Sequence, residues 1–205
     1  MINIVIPMKD PLTSKQRLSS IFDQKERHDF ALALFQRTLV FFQKNFTKHH
    51  VLVVTNSQKI SLLSKRFGAS VLLENKTGLS HAINVAAQWS VQQNFTSQLV
   101  IPADIAQLDA NELKLLLQQD ITQPSVIICP SQDNGTNALL TSPPDIIEFC
   151  YGRNSAKAHQ QQAYDKAVQC RQLLLDKLSV DIDFPVDLQS VITTSQISNI
   201  LKKIA

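Results

Sequence analysis

Cysteine is scarce and unpaired. Cys129, Cys150 and Cys170 form no CxxC pair and leave an odd count, so neither a disulfide framework nor a zinc site organises the chain, and all three are expected to be core thiols. No apolar run approaches the roughly 20 residues of a membrane span. The opening Met1 to Pro7 is also far too short for the apolar region of a signal peptide, so a cytoplasmic protein with no membrane partner is expected. Basic runs and basic-aromatic stripes are missing, which argues against nucleic acid as a partner, while the formal charge of +3 suits a small anionic substrate. Neither GxGxxG nor GxxxxGK(S/T) occurs, which disfavours a Rossmann dehydrogenase and a P-loop enzyme. No Ser-His-Asp arrangement or motif-marked cysteine points to nucleophilic catalysis. Glycine is rare too: of only four, Gly78, Gly135 and Gly152 fall in loops that carry other candidate ligand residues.

What remains is the composition of an ordinary soluble enzyme, 44% apolar and 18% charged over 205 residues, enough for one domain spanning residues 1–205. Strands are expected at Ile2 to Ile6, Val51 to Thr55, Ser70 to Leu73, Leu99 to Asp104, Ser125 to Cys129 and Arg171 to Leu175. Helices are expected from Glu26 to about Gln43, Gln58 to Phe67, from Gly78 onward, after Asp109, and from about Ala156 to Val168. In the first helix Phe30, Leu34, Leu39 and Phe41 recur at helical spacing, with Arg37 and Lys44 on a polar side. The alternation of strand and helix predicts an α/β fold, a single Rossmann-like, mostly parallel sheet flanked by helices.

The central stretch is Leu99-Val100-Ile101-Pro102-Ala103-Asp104, an apolar run ending in one carboxylate. Open α/β sheets bind ligands beyond the carboxyl ends of their strands, which makes Asp104 a site candidate. The next helix does not need it, because Asp109 and Glu112 have the spacing of an N-cap and its reciprocal partner. Asp181 and Asp183, two residues apart before Pro185, face one side of an extended backbone and can converge on one cation. Three carboxylates without cysteine or histidine suit Mg²⁺ or Mn²⁺ rather than zinc, and Mg²⁺ commonly completes its shell with phosphates and water. Lys9, Lys15 and Arg17 follow the first strand, where three cations suit a polyphosphate. Gly78, Leu79 and Ser80 open a helix whose free N–H groups can approach an anion or a base. Gly135, Thr136 and Asn137 follow the turn at Asn134. Arg153, Ser155, Lys157 and His159 cluster at a helix start, where an anionic ligand would offset their repulsion by the helix dipole. His81 is taken as a surface or packing residue.

Taken together, Ile6-Pro7-Met8-Lys9 with Ser14 to Leu18, Gly78-Leu79, Ile101 to Asp104, Gly135 to Leu139, Tyr151 to Ser155 and Asp181 to Leu188 resemble the CofC/FbiD-type guanylyltransferases nearly end to end. That resemblance implies the nucleoside-diphosphate-sugar transferase-like nucleotidyltransferase fold. It also implies transfer of GMP from GTP to 2-phospho-L-lactate, phosphoenolpyruvate or 3-phospho-D-glycerate, with release of pyrophosphate, in biosynthesis of the deazaflavin coenzyme F-420. By motif matching, Asp104, Asp181 and Asp183 would hold one or two Mg²⁺ ions, with Lys15, Asp104 and Asp183 as the catalytic set. Lys9, Lys15 and Arg17 would meet phosphates; Gly78 and Leu79 would meet the nucleotide; Thr136, Asn137, Gly152 and Ser155 would bind substrate. Ser80 stands where the family pattern has asparagine, Tyr151-Gly152-Arg153-Asn154 replaces Phe-Gly-Pro-Gly, and Asp10-Pro11 departs from a plainer Lys-Pro.

Two readings of other classes stay open at this level: a DxD glycosyltransferase, which would release no pyrophosphate, and a non-catalytic nucleotide-binding protein. The downstream transferase of the deazaflavin pathway is a candidate partner. An apolar face on the helix from Phe30 to Phe42, if exposed, would support a homodimer.

Overall fold

The computed structural model describes residues 1–76, 78–119, 121 and 123–204. Seven strands form one sheet: β1 (Ile2–Pro7), β2 (His50–Thr55), β3 (Ser70–Leu73), β4 (Ser97–Val100), β5 (Ser125–Pro130), β6 (Thr136–Ser142) and β7 (Gln169–Gln172), in the spatial order β3-β2-β1-β4-β6-β5-β7. The pairs β1–β2, β1–β4, β2–β3 and β5–β7 are parallel. β6 runs antiparallel to both of its neighbours. Its reversal comes from the expected turn: Asn134 takes a left-handed φ of 65°, and a Cβ on Gly135 would lie 2.6 Å from Ser131 Oγ, so any side chain there would force Ser131 to shift.

The helices are α1 (Gln24–Asn45), α2 (Gln58–Arg66), α3 (Leu79–Gln92), α4 (Ala110–Leu117), α5 (Ser155–Asp165), α6 (Pro185–Val191) and α7 (Ser195–Ile204). Side-chain alternation along β1 sends Ile2, Ile4 and Ile6 into a core with α1, α2 and α4, while Val5 joins the opposite core with α3 and α5. A third cluster packs Phe30 and Leu34 of α1 against Ile182, Leu188, Ile197 and Ile200, so the C-terminal segment that carries the aspartates rests on α1.

Several boundaries differ from expectation for local reasons. α5 stops at Asp165 because Ala167 adopts a left-handed φ of 53°. β7 lies earlier than expected, at Gln169–Gln172, because the chain must leave the sheet for Leu175 to bury itself beneath α1 and α4. The apolar face of α1 is internal: Phe30, Leu34, Phe35, Leu39 and Phe42 are all buried within the protomer, so the exposed dimer face expected there does not exist. Arg37, expected on the polar side, instead turns inward and donates to the carbonyls of Ile105 and Ala106. Among the described residues no helix is long and apolar enough to cross a membrane.

Candidate active site

The chain beyond β4 continues from Ile101 into a turn that presents Asp104. Two elements hold that turn. The hydroxyl of Thr38 on α1 lies 3.0 Å from the Ala103 carbonyl, and Arg37 clamps the next two carbonyls beyond Asp104. From the other side, Ala106 N–H donates to Val180 O at 2.8 Å and Ile182 N–H to Asp104 O at 3.1 Å, with Ile105 paired to Asp181. This short antiparallel strip brings together carboxylates that are distant in sequence.

Lys15 enters the same place from the β1 loop. It sits in left-handed backbone, φ 53°, and its ammonium donates to Asp104 Oδ2 at 2.5 Å, Ile182 O at 2.5 Å and Asp183 Oδ1 at 3.1 Å. Three N–H donors therefore meet three acceptors. Burial of Lys15 works to lower its pKa, but Asp104 and Asp183 outweigh it, and the ammonium is held charged above its ordinary value. Arg17 donates to the other oxygen of Asp183 at 2.9 Å and stacks its guanidinium 4.7 Å over the Phe184 ring. Asp187 fixes this corner by accepting from the N–H groups of Asp183 and Phe184. The departure at Asp10-Pro11 is a loop brace: Asp10 accepts from Leu12 N–H at 2.9 Å and from the Ser57 hydroxyl at 3.0 Å.

Asp181 faces differently from Asp183, with Oδ1 accepting from Asn137 Nδ2 at 3.0 Å. Burial raises its pKa to about 6, with the charges of Asp104 and Asp183 adding to the effect. Among the described residues no three acidic, histidine or cysteine side chains converge on one metal position, because the Lys15 ammonium stands between Asp104 and Asp183. The donor chemistry nevertheless fits a hard divalent cation: the side chains of Asp104, Asp181 and Asp183 offer only oxygen.

A cavity of about 510 Å³ opens from this cluster along the carboxyl ends of β1, β2 and β3. Lys9 and Lys15 line one wall and Gly78 and Leu79 another, with Asp104 and Asp183 at one end. Gly78 reaches φ 114°, with open space where a Cβ would stand. Arg17, Thr136, Asn137, Gly152 and Ser155 are not part of this lining. The last four form a group of their own: Thr136 Oγ1 lies 3.0 Å from Ser155 Oγ, Ser155 N–H donates to Gly152 O, and Asn137 links the group to Asp181. Ser80, where the family pattern has asparagine, stitches α3 to this loop by accepting from Tyr151 N–H at 2.8 Å.

Two residues correct the sequence reading. His159 is not part of a basic cluster at the start of α5 but is fully buried, its pKa pushed down to about 4 by burial. Its Nε2 accepts from Cys150 N–H at 3.0 Å, so Nδ1 carries the hydrogen and faces Thr136 Oγ1 at 3.1 Å. Glu112 is not the reciprocal partner of Asp109. Asp109 caps α4 alone, while Glu112 accepts from the N–H groups of Lys177 and Leu178 and pins the chain that leads to Asp181. Neither role has a sequence signal, since both depend on contacts between distant segments. His81, expected at the surface or in packing, is part-exposed with Nε2 3.6 Å from Glu74 Oε2.

Comparisons with known proteins identify the family and the fold. The guanylyl transferase CofC-like family matches residues 2–204. A 3-phospho-D-glycerate guanylyltransferase from Colwellia psychrerythraea is 50% identical over 187 residues, covering 91% of this chain and 89% of that protein. A phosphoenolpyruvate guanylyltransferase from Sphaerobacter thermophilus is 28% identical, covering 91% and 90%. Among solved structures, a protein from Desulfovibrio desulfuricans, provisionally named a nucleotide-diphospho-sugar transferase, superposes with a TM-score of 0.73 at 14% identity over 98% of this chain and 94% of that one. That likeness shows the shared nucleotidyltransferase-type fold. The chain belongs to the CofC-like guanylyltransferase family and is a nucleotidyltransferase.

Proposed function

We propose that this protein, acting as one nucleotidyltransferase domain, transfers GMP from GTP to the phosphate of 3-phospho-D-glycerate and releases pyrophosphate, as a step in coenzyme F-420 biosynthesis. The observation that carries the reaction class is the Lys15 ammonium fixed by Asp104 and Asp183 on the wall of the cavity. The choice of acid is supported by the 50% identity to the Colwellia enzyme; phosphoenolpyruvate and 2-phospho-L-lactate, named for more distant relatives, are the alternatives.

In this reading an oxygen of the acid's phosphate attacks the α-phosphorus of GTP, a new P–O bond forms, the bond to the β-phosphate breaks, and pyrophosphate leaves. The attacking phosphate is already anionic near neutral pH, so no strong general base is required. Lys9 and Lys15 meet the phosphates of the nucleotide, and Arg17 lies across Asp183 to receive the acid. Thr136, Ser155 and the turn at Gly152 orient that acid, with Asn137 holding Asp181 in place. Asp104, Asp181 and Asp183 would hold Mg²⁺, which when bound supplies charge stabilisation to the phosphates and to the leaving pyrophosphate. The chain's own contribution is in-line positioning and a preorganised electrostatic frame.

The test is pyrophosphate release from GTP with Mg²⁺ and each of the three acids separately, with ATP as the control nucleotide. Release with GTP and 3-phosphoglycerate, faster than with the other two, is the expected result. Silence with all three acids, from folded protein that still binds GTP, overturns the proposal and favours a glycosyltransferase or a binding protein.

A further inference from the structure

The cavity has two acidic ends of different character. At one, Asp104 and Asp183 are engaged by Lys15; at the other, Glu74 stands apart from that lysine, just beyond β3. Its backbone N–H donates to Thr55 O at 3.0 Å, which places Glu74 alongside Asn56 at the end of β2, also on the cavity wall. One carboxylate oxygen accepts from Lys76 N–H at 2.8 Å, and the other lies 3.6 Å from His81 Nε2, beyond hydrogen-bond reach. The side chain is 18% exposed. The Lys76 N–H is also the foremost cause of a carboxyl pKa below the usual range, which keeps the group ionised. The Asn56 side-chain amide makes no hydrogen bond to another described residue.

We infer that Glu74 is the residue that selects guanine, its carboxylate accepting from N1–H and the 2-amino group of the base, with Asn56 beside it as a donor to the acceptor edge. The chemistry is directional. Guanine offers two adjacent donors, which an ionised carboxylate matches, whereas adenine offers a lone pair at N1 and repels it. A site built to bond a donor rejects an analogue lacking it, because its own acceptor is left unpaired. The geometry also orients the nucleotide: with the base at Glu74, the phosphates run along the cavity toward Lys9 and Lys15.

This inference rests on GTP being the substrate, so its test separates the two. Steady-state kcat/KM is measured for GTP and for ITP, which lacks only the 2-amino group, in the wild type and in Glu74→Ala and Glu74→Gln. The wild type is expected to favour GTP over ITP by roughly 10- to 100-fold, the worth of one hydrogen bond to a charged group. In Glu74→Ala that preference should collapse to within about twofold, with KM for the phosphoacid unchanged. If Glu74→Ala does not fold, Glu74→Gln, which can keep the bond to Lys76 N–H while offering the base a donor, reads out the same loss of preference. A residue that merely stabilises its turn would lower activity on both nucleotides equally, and a GTP-to-ITP ratio that persists in the variants overturns the inference. A wild type that uses GTP and ITP alike overturns it while leaving the guanylyltransferase reading intact. A wild type that neither binds nor consumes GTP overturns both.

Discussion

His159, in contact with Thr136, gives a sharp test of the structure, because its burial makes a signed prediction about pH. Its ring is fully buried between the Cys150 N–H and the Thr136 hydroxyl, with Tyr151 packed edge-on at 4.9 Å. Protonation would turn Nε2 from an acceptor into a donor facing another donor, and burial holds the folded-state pKa at about 4 against an ordinary value of 6.5. The folded pKa is depressed, so between about 6.5 and 4 the unfolded chain binds the proton and the folded protein does not. Stability is therefore intact above about pH 6.5 and declines as pH falls through that window, by about 1.4 kcal/mol per unit. At pH 5 the loss reaches about 2 kcal/mol, or about 4–8 °C in Tm for a chain of this size. The assay is urea denaturation of the wild type and His159→Gln at pH 7.5, 6 and 5. The variant starts about 2 kcal/mol less stable through lost packing, which is a cost without pH dependence. The gap between the two proteins should narrow by about 2 kcal/mol between pH 7.5 and pH 5. Parallel pH profiles would refute the neutral, buried assignment of His159.

Asp104→Asn and Asp183→Asn should each lower turnover by at least about 100-fold, with circular dichroism unchanged, because both carboxylates sit in turns outside the apolar core; near-wild-type activity would remove that residue from the site. Glu112→Ala should destabilise the protein by about 1–3 kcal/mol by stranding the Lys177 and Leu178 N–H groups, and should raise KM for the phosphoacid by loosening the approach to Asp181; an unchanged KM would confine Glu112 to stability. Gly78→Ala meets no atom within 4 Å but must hold φ near 114°, so a loss of about 1–3 kcal/mol, or a shifted loop with weaker nucleotide binding, is expected in thermal unfolding and in GTP titration.

Local rules carry much of the fold. β1, β2 and β3 and the helices between them follow from apolar periodicity and strand ends, and the turn at Asn134 and Gly135 from backbone sterics. The antiparallel β6 follows from that turn, yet its insertion between β4 and β5 is a tertiary choice that no local window encodes. Boundaries shift where tertiary packing overrides local pattern, as at β7, where burial of Leu175 pulls the chain off the sheet edge. At the candidate site, Lys15, Asp104 and Asp183, singled out by residue type and position, are brought together by the structure. Arg37 defeats a local reading because a charged residue off the apolar stripe of a helix looks solvated; only the turn beyond Asp104, whose two carbonyls accept from it, turns it inward. Glu112 and His159 escape for the same reason: their partners lie at positions 177–178 and at 136 and 150, and a short motif spacing offers a nearer explanation.

The arrangement around Lys15 explains how a chain can keep three carboxylates together before any substrate arrives. Three carboxylates so close repel one another, and at Asp181 the charges of Asp104 and Asp183 add to a pKa raised chiefly by burial. Lys15, 7% exposed, supplies a cation tethered to the loop after β1 that pairs with both Asp104 and Asp183 without an external ion. The same ammonium lines the cavity on the side where GTP phosphates are proposed to lie. Phosphates arriving there would compete with Asp104 and Asp183 for its three donors, freeing carboxylate oxygens just as phosphate charge enters. Nucleotide binding and carboxylate release would then be one event, which ties the order of assembly to the position of a single side chain.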